Sequence, residues 1–421
     1  MEEIMKKKIT ITNAYTWYNK GDAGILLGTV NTLKQIYGSK NIEIDILSFT
    51  PSEDKKRYCK DPVIKNVYSN VLNPRPYKHT KIGKLIAIVK LIVRTIYLSL
   101  MMKINLNKLV LKEEAFKSLS DSDLIVVCGG GFLGGKKLDS LMHVFQMHVN
   151  TKFNKPVYLM GTSIEPMTNR IVKFFTDGVL KKLDFIFARE TITFDYLKTL
   201  IPSNKFTLIP DMAFMLEDIN EEFEAISDLK KNEGPVYGLT VREWNFPNFS
   251  NPTELMSNYI FAIRDVIEEQ VKKNNASFVF VPQVIVKHGD DAEVALKIKS
   301  LLRKEYQDRF LVLRDDISPV QVKAMIANFD YFIGTRMHSN IFATSMKVPT
   351  IAIAYEKKTN GIMHTVNLDD YVIEMNEVTS EKLNNLIEKQ SKNNELIRKQ
   401  LNKVIPEIRN EVLEKMKAVL K

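Results

Sequence analysis

The chain has 421 residues, too many for one ordinary hydrophobic core, so two domains are expected. With 45% hydrophobic and 26% charged residues it has the composition of a folded globular protein, which excludes global disorder. Its 60 Lys and Arg against 50 Asp and Glu give +10, a bias toward anionic partners such as phosphorylated metabolites or acidic lipid. Nucleic acid is set aside because no DNA- or RNA-binding motif occurs. Cys59 and Cys128 stand in unrelated settings, with neither a disulfide framework nor zinc spacing, which suits a reducing cytoplasm. Residues 1–8 are charged and lack the apolar stretch of a signal peptide.

Residues 8–12 form a β-branched run, the first predicted strand, and a helix follows over about residues 23–37. The loop between them contains Trp17, Tyr18 and the run Asn19-Lys20-Gly21-Asp22, at the carboxyl end of a parallel strand where α/β proteins bind ligands. Asp22 can cap the helix or act as a base, and Trp17 can stack on a sugar or pack. Residues 43–48 are a second strand. Pro51, Pro62, Pro74 and Pro76 then predict a loop-rich stretch.

Residues 79–112 differ from their surroundings: 85–102 are strongly apolar, flanked by Lys81, Lys84, Lys103 and Lys108, with no acid before Glu113. A bilayer span would place Lys90 and Arg94 near the midplane at a cost of about 2.5–3.5 kcal/mol each. A helix lying in the headgroup plane fits better, the alternative being a core helix whose basic residues snorkel.

The buried-type strand 124–128 runs into Gly129, Gly130 and Gly131, which allow close backbone approach to a ligand or a sharp turn. Strand–helix alternation continues to about residue 209, breaks at the polar stretch 229–235, and restarts at 236–241. The fold class expected is therefore α/β, with two consecutive Rossmann-like domains. The boundaries expected are 1–231, 232–376 and a helical tail 377–421 that is limited by Pro406 and packs back toward the first domain.

In the second half, predicted strands end in Arg242-Glu243-Trp244, in Pro282-Gln283, in Thr335-Arg336-Met337-His338 and in Tyr355 to Gly361. Strand carboxyl ends share one edge of such a sheet, so these groups can converge. The run 334–339 reads as a strand, a glycine turn and a helix start near Ser339, where an anion is favoured. Arg336 offers a planar fork for phosphate or carboxylate, or else forms a structural ion pair. His338 can exchange a proton near neutral pH, or else satisfies a core hydrogen bond.

These pieces resemble the polysaccharide pyruvyl transferase family. The matching residues are Asn19 to Asp22, Gly129 to Gly131, Gly161 to Pro166 (with Glu165), Arg189-Glu190, Asp211 to Phe214, Val241 to Trp244, Gly334 to His338, and Tyr355 to Lys358 with Gly361. The resemblance implies a GT-B-like pair of domains facing a cleft and phosphoenolpyruvate as co-substrate; nothing demands a metal or other cofactor, because the arginines supply the positive charge. It implies that Arg242, Arg336 and His338 hold the donor in the second domain, with Lys358 as a helper. The first domain would hold a sugar acceptor, lipid-linked if residues 79–112 lie on the inner membrane surface. His338 would then be a general acid or a phosphate ligand, and Asp22 or Glu165 the base. A nucleotide-sugar glycosyltransferase of the same architecture is the alternative.

Overall fold

The computed structural model describes residues 6–73, 81–103, 113–134, 140–285 and 290–421. Pro74, Pro76 and Lys108 lie outside the described residues. The chain divides into two compact units, one of residues 1–17, 25–215 and 411–421, the other of residues 18–24 and 216–410. The division falls at 215/216 rather than at 231, and the last helix is shared between the units.

In the first unit, β1 (Lys7–Ala14), β2 (Ile42–Ser48), β3 (Ile64–Ser69), β4 (Leu124–Val127), β5 (Gly130–Leu133), β6 (Val157–Ile164), β7 (Phe185–Ala188) and β8 (Phe206–Leu208) form one sheet. Its order is β3-β2-β1-β4-β6-β7-β8, with β5 paired to β6, and every pairing is parallel. Helices on a parallel sheet bury its strands, which is why β4 reads Leu-Ile-Val-Val without alternation.

The second unit contains β9 (Val236–Thr240), β10 (Ser277–Phe280), β11 (Phe310–Val312), β12 (Tyr331–Gly334), β13 (Thr350–Ala354) and β14 (Val372–Glu374), all parallel. Their order, β11-β10-β9-β12-β13-β14, is the doubly wound 3-2-1-4-5-6 arrangement. In both sheets the strand order reverses beside the first strand, between β1 and β4 and between β9 and β12.

Three sequence expectations are corrected. The stretch after β2 is ordered: Pro51 opens the helix Pro51–Tyr58, where its missing N–H leaves no bond unmade, and β3 follows. Pro406 does not end the tail; the helix Asn394–Leu420 runs through it, held by buried Ile397, Leu401, Ile405, Ile408 and Val412 at helical spacing. The helix after β12 begins at Met337, with Arg336 at its N-cap. The helix Leu141–Asn150 gave no periodic signal because all its residues except His148 are buried.

Candidate active site

The second sheet brings its two strand-end arginines together through register. Gly334 of β12 lies opposite Thr240 of β9, so Arg336 and Arg242, each two residues further on, leave adjacent strands at the switch point. The Thr240 hydroxyl accepts the N–H groups of Thr335 and Arg336 at 3.1 and 3.4 Å and bonds the Ser339 hydroxyl at 2.8 Å. Tyr259, whose phenol burial holds protonated, bonds the Thr335 hydroxyl at 2.8 Å. A Cβ on Gly334 would lie 1.8 Å from Asn340 Oδ1, so only glycine lets the new helix fold back on the strand.

Arg336 realises the ion-pair alternative. Its Nε and Nη2 donate to both oxygens of Asp291 at 2.8 and 2.5 Å, and Asp291 is 1% exposed. Burial works against the Arg336 charge, and Asp291 more than offsets it, so the guanidinium stays protonated above its ordinary range. One edge of the fork is thus fixed, while Nη1 donates to nothing among the described residues. Arg242 is held differently. Its guanidinium carbon lies 4.8 Å from the Trp244 ring centre and 4.1 Å from that of Tyr355, which leads out of β13. Two aromatic faces orient the cation, its Nε donates to the Glu243 carbonyl at 3.2 Å, and Nη1 and Nη2 are left clear among the described residues.

The segment 18–24 packs into this same unit. Asn19 bridges Val284, and the Lys20 N–H donates to the Gln283 carbonyl at 2.9 Å. The Lys20 ammonium is fully buried on Asp316 at 2.5 Å. A Cβ on Gly21 would meet His338 Nδ1 at 2.2 Å. Glycine therefore lets one helix start close on the imidazole at the start of another, and both N-termini favour negative charge there. Asp22 is not the cap. Asn19 caps, its side-chain oxygen accepting from Gly21 and Asp22 at 3.1 and 3.4 Å, and its amide donates to the Asp22 carboxylate at 2.6 Å. Asp22 sits half-buried in the first turn, close enough to contribute to the Arg336 electrostatics. Lys358 is half-buried in the first turn of the helix Lys357–Thr365, after β13.

In the first unit two expectations change. Trp17 is no stacking platform: it is 6% exposed, its ring 5.1 Å edge-on from Tyr58 and its backbone N–H on the Asp54 carboxylate at 3.1 Å. Gly129 serves its own sheet, since a Cβ there would lie 2.1 Å from the Met160 carbonyl oxygen. Gly130 is buried with φ +145°, whereas Gly131 is exposed. Glu165 is half-buried just beyond β6, its N–H on the Leu133 carbonyl at 3.0 Å.

Sequence reasoning missed His143 at this edge. It is buried, stacks on Phe132 at 4.2 Å and lies edge-on to Phe49 at 4.9 Å, and it accepts from the Asn13 amide at 3.3 Å. Its helix is buried all round, so no pattern marked it. Asp291 was also missed, although Asp290-Asp291 at a predicted helix start is a visible signal. Asp290 caps the helix Asp291–Leu301, which leaves Asp291 to meet Arg336.

A family model described as polysaccharide pyruvyl transferase matches residues 19–357. The amylovoran biosynthesis protein AmsJ of Erwinia amylovora is 23% identical over 379 residues, covering 86% of this chain and 87% of that protein. Among solved structures, the UDP-GlcNAc 2-epimerase of Methanocaldococcus jannaschii superposes with a TM-score of 0.56 at 15% identity, covering 90% of this chain and 92% of that one. The glycotransferase of kitacinnamycin gives 0.58 at 9% identity, with 99% and 98% covered. At such identities the likeness is one of fold, the GT-B-like pair of Rossmann-type sheets.

Proposed function

Because this chain belongs to the polysaccharide pyruvyl transferase family, we propose that it moves the three-carbon unit of phosphoenolpyruvate onto a sugar of a cell-surface polysaccharide precursor. The product is a pyruvate ketal, and inorganic phosphate is released. The observation that carries this reading is the side-by-side exit of Arg242 and Arg336 at the second switch point, with His338 two residues past Arg336 in the first turn of the helix. Two fixed guanidinium groups suit a small molecule bearing both phosphate and carboxylate.

Ketal formation begins with a proton delivered to the methylene carbon, which makes C2 oxocarbenium-like. His338 is the donor of that proton, a role that contributes about 10²–10⁴-fold in comparable reactions. One sugar hydroxyl attacks C2, the C–O bond to phosphate breaks, and a neighbouring hydroxyl closes the ring. Arg242 and Arg336 neutralise the departing phosphate by preorganised charge, Arg336 through the edge left clear by Asp291. Asp22 takes the proton of the attacking hydroxyl, Glu165 being the other candidate, the proton of the second hydroxyl leaves with the phosphate, and Lys358 adds positive charge. Gly130 and Gly131 line the acceptor side. The acceptor is carried on lipid at the inner face of the cell membrane, a reading supported by the apolar helix Lys81–Lys103, which holds no acidic residue.

The test is incubation with phosphoenolpyruvate and a panel of lipid-linked and aryl glycosides, following phosphate release and the mass of a ketal-linked pyruvate. UDP- and GDP-sugars form the parallel arm. Turnover of a nucleotide sugar without turnover of phosphoenolpyruvate sinks the proposal in favour of glycosyl transfer.

A further inference from the structure

The helix Lys81–Lys103 carries two apolar stripes where a core helix needs one. Ala87, Leu91, Thr95 and Leu98 are buried, and the helix packs on Leu141–Asn150. Ile86, Val89, Val93, Ile96, Tyr97 and Leu100 form the second stripe, each 50–60% exposed. At 100° per residue these six cover an arc of about 100° along a helix about 35 Å long. Lys90 borders this arc, with Arg94 beyond it, and the helix contains no acidic residue.

A second helix, Arg170–Leu180, packs on the same buried helix, with Phe175 edge-on to Phe145 at 5.1 Å. It too exposes apolar side chains: Ile171 is 58% and Phe174 74% exposed. The charges around both helices are mostly basic, Glu114 and Asp184 being exposed acidic neighbours. Glu113 is taken up by Arg94 at 2.9 Å and Asp177 by Lys173 at 2.8 Å. Lys90, Arg170, Lys181 and Lys182 are exposed and have no ion-pair partner among the described residues.

We infer that these two helices together form a docking surface for an anionic lipid bilayer, lying in the headgroup plane. Exposed apolar side chains enter the acyl boundary, and the surrounding ammonium and guanidinium groups meet lipid phosphates. Among the described residues no helix is long and apolar enough to cross a membrane, so the contact is one of surface. A second copy of this chain would bring the same basic rim against itself, whereas an anionic headgroup layer complements it. The inference deepens the lipid-carried acceptor proposed above and rests on it only for its purpose.

The test is flotation of the full chain with phosphatidylcholine vesicles, with and without phosphatidylglycerol. Partition is expected only onto the anionic vesicles, and salt should weaken it. Val93→Asp and Phe174→Asp should each lower it by about tenfold or more, and Lys90→Glu by about fivefold or more. Phosphate release with a water-soluble glycoside should not change in any of them. Hydrogen exchange on the unaltered chain supplies a readout independent of variant folding: anionic vesicles should protect residues 81–103 and 170–180. The surface is disproved by absence of flotation, by aspartate variants that float like the parent, or by protection elsewhere. A concentration-dependent dimer abolished by Phe174→Asp, without vesicle binding, would assign the face to a second copy. Vesicle binding without turnover of phosphoenolpyruvate leaves the surface standing and removes the enzymatic reading.

Discussion

The two switch points share a topology and differ in chemistry. Between β9 and β12 the strand ends deliver guanidinium groups, an imidazole and one helix N-terminus. Between β1 and β4 they deliver a left-handed Asn13, the glycine run after β4, and a His143 enclosed by Phe132, Phe49 and Tyr15. Parallel strand order sets only where a ligand can approach; the residues two or three positions past each strand set what it can be. Under the function proposed above, the cationic edge takes the anion and the edge of aromatic faces and amides takes the sugar.

The sharpest way to break this contrast is Arg336→Ala. Loss of one preorganised charge should lower phosphate release about 10²–10³-fold. It should also destabilise the fold by about 3–5 kcal/mol, because Asp291 is left buried and unpaired. Arg336→Lys should not rescue turnover, since an ammonium cannot span both Asp291 oxygens and still present a donor. Steady-state kinetics and calorimetry read the two effects separately.

Gly21→Ala comes next. The added methyl meets His338 Nδ1 at 2.2 Å, so the imidazole must move. A displacement of about 1 Å at a reacting group can cost about 10²-fold, and kcat should fall more than KM for phosphoenolpyruvate rises. Unchanged kcat would show that His338 does not act in the chemical step.

On the first unit, Phe132→Ala should raise KM for the glycoside by about twofold to tenfold and leave KM for phosphoenolpyruvate alone, because it removes the face stacked on His143. The reverse pattern would overturn the assignment of acceptor and donor to the two edges.

The smallest effect on turnover belongs to a charge cluster away from either switch point. Asp218 holds Arg409 at 2.7 and 2.8 Å and Lys323 at 2.6 Å. Burial pushes its carboxyl up, but Arg409 and Lys323 hold it down at about 2, against 3.8 unperturbed. A depressed folded pKa gives stability that is complete above about 4 and lost as pH falls toward 2. Asp218→Asn should abolish that acid-limb loss in a melting-temperature profile, lower stability at neutral pH, and leave kcat intact.

Much of this was legible in the sequence because the signals are local. Apolar runs bounded by glycine and proline announce buried parallel strands, and strand–turn–helix at 331–345 announces a helix start at a strand end. What was not legible depended on partners distant in the chain. Asp291 claims one edge of Arg336 across 45 positions, Tyr58 and Asp54 draw Trp17 inside, and Met160 explains Gly129. Asn19 took the cap expected of Asp22 because its side chain reaches the N–H groups of both Gly21 and Asp22.

The sequence by itself determined most of the strands, the α/β class and the residue types waiting at the strand ends, since periodicity and turn chemistry act over a few residues. Only the tertiary structure decided which of those side chains pair with one another and which keep donors clear. Burial, ion pairing and close backbone approach are set by register between strands, and β9 meets β12 only after about 90 intervening residues have folded between them.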